Sequence, residues 1–208
     1  GWFGRTVLAR LPKGRRRILA SINHFLPDLP AAEANRIAAE VPGNLARMVM
    51  EILSADDLAK LAATLPIEGP GLAALDDAHA KGRPAILVSG HFGNYDASRA
   101  ALIARGYRVG ALYNPMKNPY FNDHYVAAIS QIGTPLFPRG KKGLGDMVRH
   151  LRSGGMLGLL MDQSMRHGAP LTFFDQTAMT ALSAAELALK YDALVIPTYA
   201  VRQPDGLS

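Results

Sequence analysis

Three absences narrow what this sequence can encode. It contains no cysteine, which excludes a disulfide framework, a thiolate nucleophile and a cysteine-based metal site. No stretch approaches the ~20 consecutive apolar residues that a helix needs to cross a bilayer. The spacings of zinc-binding helices and the signatures of common nucleic-acid-binding modules are also missing. We therefore expect a chain that does not itself span a membrane and that holds no metal.

Length and charge set further bounds. The chain has 208 residues, of which 49% are hydrophobic, so it can bury a core and corresponds to one domain or at most two. Its net charge of +6 is unevenly placed. One basic group comprises Arg5, Arg10, Lys13 and Arg15 to Arg17, with Trp2, Phe3 and other apolar residues between them. This interleaving indicates an amphipathic segment at an anionic membrane surface, with a solvated helix face as the alternative.

Apolar periodicity divides the chain into a helical front section and an α/β part. Helical spacing occupies residues 31–40, 45–53 and 56–63, with a break expected at Pro42 and Gly43. Strands are predicted at 85–88, 108–112, 135–137, 156–161 and 194–197, and the intervening helices at 97–104, 120–132, 143–152 and 180–191. This alternation predicts an α/β fold with a mostly parallel central sheet covered by helices on both faces. We interpret residues 1–208 as a single domain, with a helical section at 1–65 and a catalytic part at 84–208.

The most informative segment follows the first predicted strand. The strand leads directly into His91, and Asp96 follows five positions later at the start of a helix. Open α/β sheets bind their ligands at the carboxyl ends of the strands, where His91 is expected to lie. Asp96, about one helical turn further on, can fold back and accept a hydrogen bond from one imidazole nitrogen. The other nitrogen can then take a proton from a substrate hydroxyl, which predicts general-base catalysis without a protein nucleophile.

Two further polar segments follow later strands. Asp162 and Gln163 come directly after the buried strand at 156–161, and we interpret them as part of the functional site, with a cap of the following turn as the alternative for Asp162. The loop before the helix at 143–152 carries Arg139, Lys141 and Lys142, whose charges can hold a phosphate or an oxyanion, or can simply keep the surface soluble.

At these residues the chain resembles a known family. The segment HFGNYD, residues 91–96, resembles the H-x-x-x-x-D/E motif of the lysophospholipid acyltransferase superfamily. Its Phe-Gly-Asn interior is similar to the bacterial lipid A acyltransferase branch, which contains lauroyl and myristoyl transferases. The Asp-Gln pair and the apolar and Thr-rich stretches after it match the same branch. The resemblance covers nearly the whole chain, from about Leu11 to Arg202.

The resemblance implies an O-acyltransferase that moves a fatty acyl chain from an acyl carrier protein or coenzyme A thioester to a hydroxyl of a phosphorylated glycolipid. No cofactor beyond that co-substrate is implied. His91 and Asp96 would be catalytic. Substrate contacts would come from Asn94, Asp162 and Gln163 and from the basic loop, and the acyl chain would lie against a pair of aromatic rings, Phe173 and Phe174.

The resemblance also implies a place in the cell. Family members act at the cytoplasmic face of the bacterial inner membrane, so we expect an anchor segment ahead of Gly1 and further strand and helix after Ser208. Three alternatives remain open at this point: an acyltransferase with another phospholipid or glycolipid acceptor, a hydrolase that uses the same histidine to activate water, and a non-catalytic membrane-surface binding module.

Overall fold

The structure, a computed structural model, describes residues 12–202. The predicted amphipathic roles of Trp2, Phe3, Arg5 and Arg10 lie outside these residues. The chain divides into two compact units, residues 1–51 and 52–208. The interpretation of the chain as a single domain stays a prediction.

The first unit is helical. It contains α1 (Pro12–Phe25), which buries no residue, and most of α2 (Ala31–Leu53). The break expected at Pro42 is wrong, because α2 continues through this proline. A proline inside a helix removes one backbone hydrogen bond and clashes with the preceding turn, at a cost of about 3 kcal/mol. The small residues Ala34, Ala38 and Gly43 are buried on either side of this proline.

The second unit begins with α3 (Ala55–Thr64) and α4 (Leu72–Ala80) and continues as an α/β fold. Its elements are β1 (Ala85–Ser89), α5 (Tyr95–Ala104), β2 (Val109–Tyr113), α6 (Pro119–Ile132), β3 (Leu136–Pro138), α7 (Lys141–Arg152), β4 (Met156–Leu160), β5 (Ala169–Phe173), β6 (Gln176–Thr180), α8 (Ser183–Tyr191) and β7 (Leu194–Pro197). Five strands form one parallel sheet in the order β3-β2-β4-β1-β7. The predicted fold class is confirmed.

The sheet is buried on both faces because its strands carry apolar residues at consecutive positions. Ile86 packs in one cluster with Met147 and Leu151 of α7. Its neighbour Leu87 packs on the opposite face in a second cluster with Leu102 of α5. Successive side chains of a strand point to opposite faces of the sheet. Because helices cover both faces, these side chains form two separate hydrophobic cores.

A two-stranded antiparallel hairpin, β5–β6, lies outside the main sheet. It is absent from the sequence prediction, which starts a helix at residue 180, whereas α8 begins at Ser183. Its turn residues are Phe174 and Asp175, and a Phe-Asp pair is not among the Asn-Gly or Asp-Gly pairs that signal such a turn. Among residues 12–202, no helix combines the length and the apolar character needed to cross a bilayer.

Candidate active site

Parallel pairing between β1 and β4 brings His91 and Asp162 together. The register aligns Ser89 with Leu160 at the ends of these neighbouring strands. His91 lies two residues after Ser89, and Asp162 lies two residues after Leu160, so both pairs are 71 positions apart in the sequence. The carboxyl ends of two adjacent central strands therefore present a histidine and a carboxylate to each other.

Asp162 holds His91 by two hydrogen bonds. Its Oδ1 lies 2.7 Å from Nδ1 of the imidazole, and its Oδ2 accepts the backbone N–H of His91, also at 2.7 Å. A carboxylate at Nδ1 selects the tautomer that carries its proton there, which leaves Nε2 as the acceptor. The side-chain amide of Gln163 lies 3.5 Å from this Nε2. The pair thus orients a histidine that can take up a proton at Nε2.

The same contacts set the ionisation of Asp162. Partial burial raises the pKa of this carboxyl, but the side-chain and backbone hydrogen bonds from His91 act together against it, and the net pKa lies below the ordinary value for aspartic acid. Asp162 is therefore charged at neutral pH. A charged carboxylate at Nδ1 stabilises the imidazolium that forms when His91 accepts a proton.

Two glycines of the motif allow this approach. A Cβ on Gly90 would lie 3.0 Å from the ring of Phe92 and 3.2 Å from Oδ2 of Asp162. Gly93 has a φ of +58°, and a Cβ there would lie 3.1 Å from the carbonyl oxygen of Ala200. The first glycine makes room for the carboxylate, and the second permits the left-handed turn that leads into α5.

The structure corrects the expected geometry at Asp96. Its carboxylate accepts a hydrogen bond of 2.7 Å from Nε of Arg99, and both side chains are buried. Arg99 also donates to the carbonyl oxygens of Gly133 at 2.9 Å and Ile129 at 3.1 Å, at the end of α6. Asp96 lies in the first turn of α5, so its neighbour on the same helix face is the residue three positions later. The position beside the imidazole belongs to Asp162 instead.

Asn94 is the N-cap of α5. Its side-chain oxygen accepts the backbone N–H of Asp96 at 3.1 Å, and the residue is buried. An N-cap of this kind satisfies one of the amide groups that begin a helix without a partner. The structure thus gives Asn94 a role in positioning the motif helix, and the predicted contact with substrate stays a prediction.

The basic loop lies at the same edge of the sheet but farther along it. Arg139, Lys141 and Lys142 are exposed and follow β3, which is separated from β1 by two strands. Strands are spaced by about 4.8 Å, so the ends of β3 and β1 are about 14 Å apart. The predicted contact of these cations with substrate stays a prediction.

A small cavity of about 70 Å³ lies next to the motif helix. Tyr95 and Tyr125 border it together with Ser89, Gly158 and apolar residues of β1, β2 and β4. The ring of Tyr95 also contacts the His91 imidazole edge to face, with 5.6 Å between centroids. Burial raises the pKa of both phenols, so they stay neutral and can only exchange hydrogen bonds.

Phe173 and Phe174 lie at the tip of the β5–β6 hairpin, where they are 59% and 57% exposed. Neither borders the cavity beside Tyr95. Their predicted contact with the acyl chain stays a prediction. Residues 12–202 contain no group of three His, Asp or Glu side chains placed to bind a metal.

Comparison with known proteins identifies the family of the chain. A family model described as "Bacterial lipid A biosynthesis acyltransferase" matches residues 1–208. The chain belongs to this family. A curated relative from Haemophilus influenzae, "Lipid A biosynthesis acyltransferase", is 27% identical over 131 residues, which cover 62% of this chain and 41% of the relative. The match thus spans about two fifths of the relative's length. The predicted resemblance of the chain to this family is confirmed.

Proposed function

We propose that the protein transfers a fatty acyl chain from a thioester of acyl carrier protein or coenzyme A to a hydroxyl of a phosphorylated glycolipid, a lipid A precursor, at the cytoplasmic face of the inner membrane. The observation that carries the proposal is the contact between His91 and Asp162 at the carboxyl ends of β1 and β4. Membership of an acyltransferase family supports the reaction class.

His91 is the general base of the proposed reaction. Its Nε2 takes the proton from the acceptor hydroxyl as the oxygen attacks the thioester carbonyl carbon. The resulting imidazolium is stabilised by Asp162, whose carboxylate is held against Nδ1 at 2.7 Å. The tetrahedral intermediate collapses, the carbon–sulfur bond breaks, and the proton passes from His91 to the departing thiolate. The acyl group moves directly to the acceptor, without an acyl-enzyme.

The developing oxyanion needs hydrogen-bond donors from the same loop. The backbone N–H of His91 does not serve, because Asp162 already accepts it at 2.7 Å. We assign the donors to the following amides, those of Phe92 and Gly93. We assign Arg139, Lys141 and Lys142 to a phosphate of the acceptor, because their loop follows β3, whose end is about 14 Å from the end of β1 that leads to His91.

The acyl chain would begin in the cavity beside Tyr95 and Tyr125, because the ring of Tyr95 borders this cavity and also contacts the His91 ring. Its 70 Å³ is well below the roughly 300–1,000 Å³ of ordinary small-molecule pockets. Only the first part of a long chain fits this conformation, so the cavity must widen to accept the rest.

A transfer assay tests the proposal. Purified protein would receive a labelled acyl thioester, on carrier protein or on coenzyme A, together with a phosphorylated glycolipid, and mass spectrometry would measure the acylated lipid. We expect transfer that falls about 10²–10⁴-fold in His91→Ala, the usual loss for a general base. The matched control is His124→Ala, which removes an exposed histidine of α6.

The same assay separates the alternatives. Release of free fatty acid in the presence of the acceptor would indicate a hydrolase. Activity of His91→Ala within a few-fold of the parent would contradict the mechanism. Binding to the glycolipid with no consumption of either thioester would indicate a non-catalytic module.

A further inference from the structure

The cavity beside the motif helix is not purely apolar. Its walls come mainly from apolar residues of β1, β2 and β4, but the phenol rings of Tyr95 on α5 and Tyr125 on α6 also border it. An unsubstituted acyl chain consists of methylene groups, which neither donate nor accept hydrogen bonds. Ligand pockets place a small number of polar groups among apolar ones to fix the orientation of a ligand and to select it. The two phenols are therefore candidates for such a selective contact.

The two phenols form a directed pair. Burial raises the pKa of both, and a hydrogen bond between their hydroxyl groups adds to the rise at Tyr95 but opposes it at Tyr125. This asymmetry is expected when Tyr95 donates the bond and Tyr125 accepts it, because donation ties down the proton of the donor. A phenol carries only one proton, so the proton of Tyr95 is used within the pair. The pair can thus offer one further O–H, that of Tyr125, to a third group.

Other polar groups at this cavity bond to the protein itself. Arg99 directs its Nε to Asp96 and its two terminal nitrogens to carbonyl oxygens at the end of α6. The hydroxyl of Ser98 donates to the carbonyl oxygen of Tyr95 at 3.1 Å. The phenol pair differs from these groups, because its hydrogen-bonding capacity exceeds the single bond that it makes within itself.

The pair lies where the first carbons of an acyl chain would be. The ring of Tyr95 contacts the imidazole of His91, with 5.6 Å between centroids, and the proposed reaction brings the thioester carbonyl carbon to this imidazole. The cavity, at about 70 Å³, holds only the first part of a long chain. The atoms that meet the phenols are therefore carbons close to the carbonyl group rather than the methyl end of the chain.

A hydroxyl group on one of these carbons would match the pair. It can accept the O–H of Tyr125 and donate its own proton to a phenol oxygen. A plain chain in the same place would instead surround that O–H with methylene groups, and a hydroxyl without an acceptor in such surroundings is costly. Sites built to bond a hydroxyl of the substrate reject the analogue that lacks it. The phenol pair therefore favours a hydroxylated chain over a plain one.

We propose that the pair of Tyr95 and Tyr125 makes the cavity selective for an acyl chain with a hydroxyl group near its carbonyl, such as a 3-hydroxyacyl thioester. The inference rests on the proposed function, because it names the class of donor for that same transfer. The hydroxyl of the chain takes no part in bond making or breaking. Tyr125 determines specificity, and His91 performs the same chemistry on either donor.

Competing donors test the selectivity. The protein would receive 3-hydroxydodecanoyl and dodecanoyl thioesters on the same carrier, with one phosphorylated glycolipid, and mass spectrometry would give the ratio of the two kcat/KM values. We expect the hydroxylated donor to be preferred about tenfold. One enantiomer should also be preferred over the other, because the pair has a fixed position. Enantiomers have equal solubility, so their difference cannot arise from aggregation of the donor. A ratio near one for both enantiomers would overturn the proposal.

Variants of the two phenols separate specificity from folding. Tyr125→Phe keeps the ring but removes the O–H, so the preference should fall to near one, mainly by a loss on the hydroxylated donor. Tyr95→Phe removes the bond that orients Tyr125 and should lower the preference in the same direction. The matched control is Tyr120→Phe, which alters an 87% exposed tyrosine of the same helix as Tyr125 and should leave the preference unchanged. Equal losses on both donors in Tyr125→Phe would assign the pair to folding and refute its role in specificity.

Binding measurements keep this inference distinct from the proposed function. Titration calorimetry with free 3-hydroxydodecanoic and dodecanoic acids, below the concentrations at which they form micelles, requires no transfer. The parent should bind the hydroxylated acid about tenfold more tightly, and Tyr125→Phe should bind both acids alike. If the parent transfers neither acyl group, the proposed function fails while these affinities still decide the selectivity. If the parent transfers both groups equally and does not distinguish the acids, the proposed function stands and the inference fails.

Discussion

Two aspartates of this protein make opposite use of the same functional group. Asp162 is 43% exposed at the sheet edge and binds the 39% exposed ring of His91. Asp96 is 9% exposed and is paired with Arg99, which is 6% exposed and also binds two carbonyl groups of α6. An exposed pair can exchange protons with a substrate, whereas a buried and fully hydrogen-bonded pair holds elements together. The carboxylate of the sequence motif thus contacts an arginine, and the carboxylate in contact with the histidine follows another strand.

The largest change in the free energy of unfolding is expected when the buried pair of Asp96 and Arg99 is broken. Arg99→Met leaves the charge of Asp96 buried and removes the side-chain donor from the carbonyl oxygens of Ile129 and Gly133 at the end of α6. Removal of one partner of a buried ion pair typically lowers the free energy of unfolding by about 3–5 kcal/mol. Urea denaturation followed by circular dichroism would measure the loss.

A surface pair with the same spacing provides the control. Arg149 pairs with Asp146 three positions earlier, and its side chain is exposed. Arg149→Met should change the free energy of unfolding by less than about 1 kcal/mol. Equal losses in Arg99→Met and Arg149→Met would contradict the structural role of the buried pair.

At the exposed edge of the sheet, substitutions should change catalysis and leave folding intact. Joint neutralisation of Arg139, Lys141 and Lys142 with glutamine should weaken the use of a phosphorylated acceptor, since each lost charge-assisted contact is worth about 1.5–3 kcal/mol. Comparison of kcat/KM for acceptors with and without phosphate would measure this. Equal losses on both acceptors would contradict the assignment of the loop to the acceptor phosphate.

A smaller effect, on the transfer of long acyl chains, is expected when the cavity beside Asp96 is made smaller. A Cβ on Gly158 would come no closer than 3.8 Å to another described group, so Gly158→Ala fits without strain and reduces the cavity. One methyl group in such a pocket is worth about 1–3 kcal/mol, so transfer from long-chain donors should fall about tenfold or more. Transfer of a two-carbon acyl group should change little. The ratio of the two rates would test whether the acyl chain enters here.

The smallest effect concerns acid stability. Because the pKa of Asp162 is lowered in the folded protein, its pairing with His91 stabilises the fold above the ordinary carboxyl pKa of about 3.9, and this contribution disappears as the pH falls through the lowered value. The pair is partly exposed, so we expect less than about 1 kcal/mol. In Asp162→Asn this part of the stability loss below about pH 4 should be absent from thermal unfolding curves.

The sequence predicts the sheet well because its strands are short apolar runs followed by polar or glycine residues. It also predicts that His91 and Asp162 each follow a central strand. It does not reveal that β1 and β4 are neighbours in register, since β2 and β3 intervene in the chain, and so the pair itself is missed. The spacing of His91 and Asp96, about one helical turn, predicted Asp96 as the partner of the histidine instead. Ser89 and Leu160 are 71 positions apart in the sequence, and so are His91 and Asp162. This shared separation indicates the His91–Asp162 pair, but only once the strand order is known.

The most direct test replaces each of the two aspartates separately by asparagine. Asp162→Asn keeps the size of the side chain but loses the charge that supports the imidazolium, so kcat should fall about 10²–10⁴-fold while the melting temperature stays near that of the parent. Asp96→Asn should lower the melting temperature, and the folded fraction should keep kcat within about tenfold. Steady-state kinetics and calorimetry on both variants decide the matter. A fall in kcat confined to Asp96→Asn, with Asp162→Asn as active as the parent, would contradict the account.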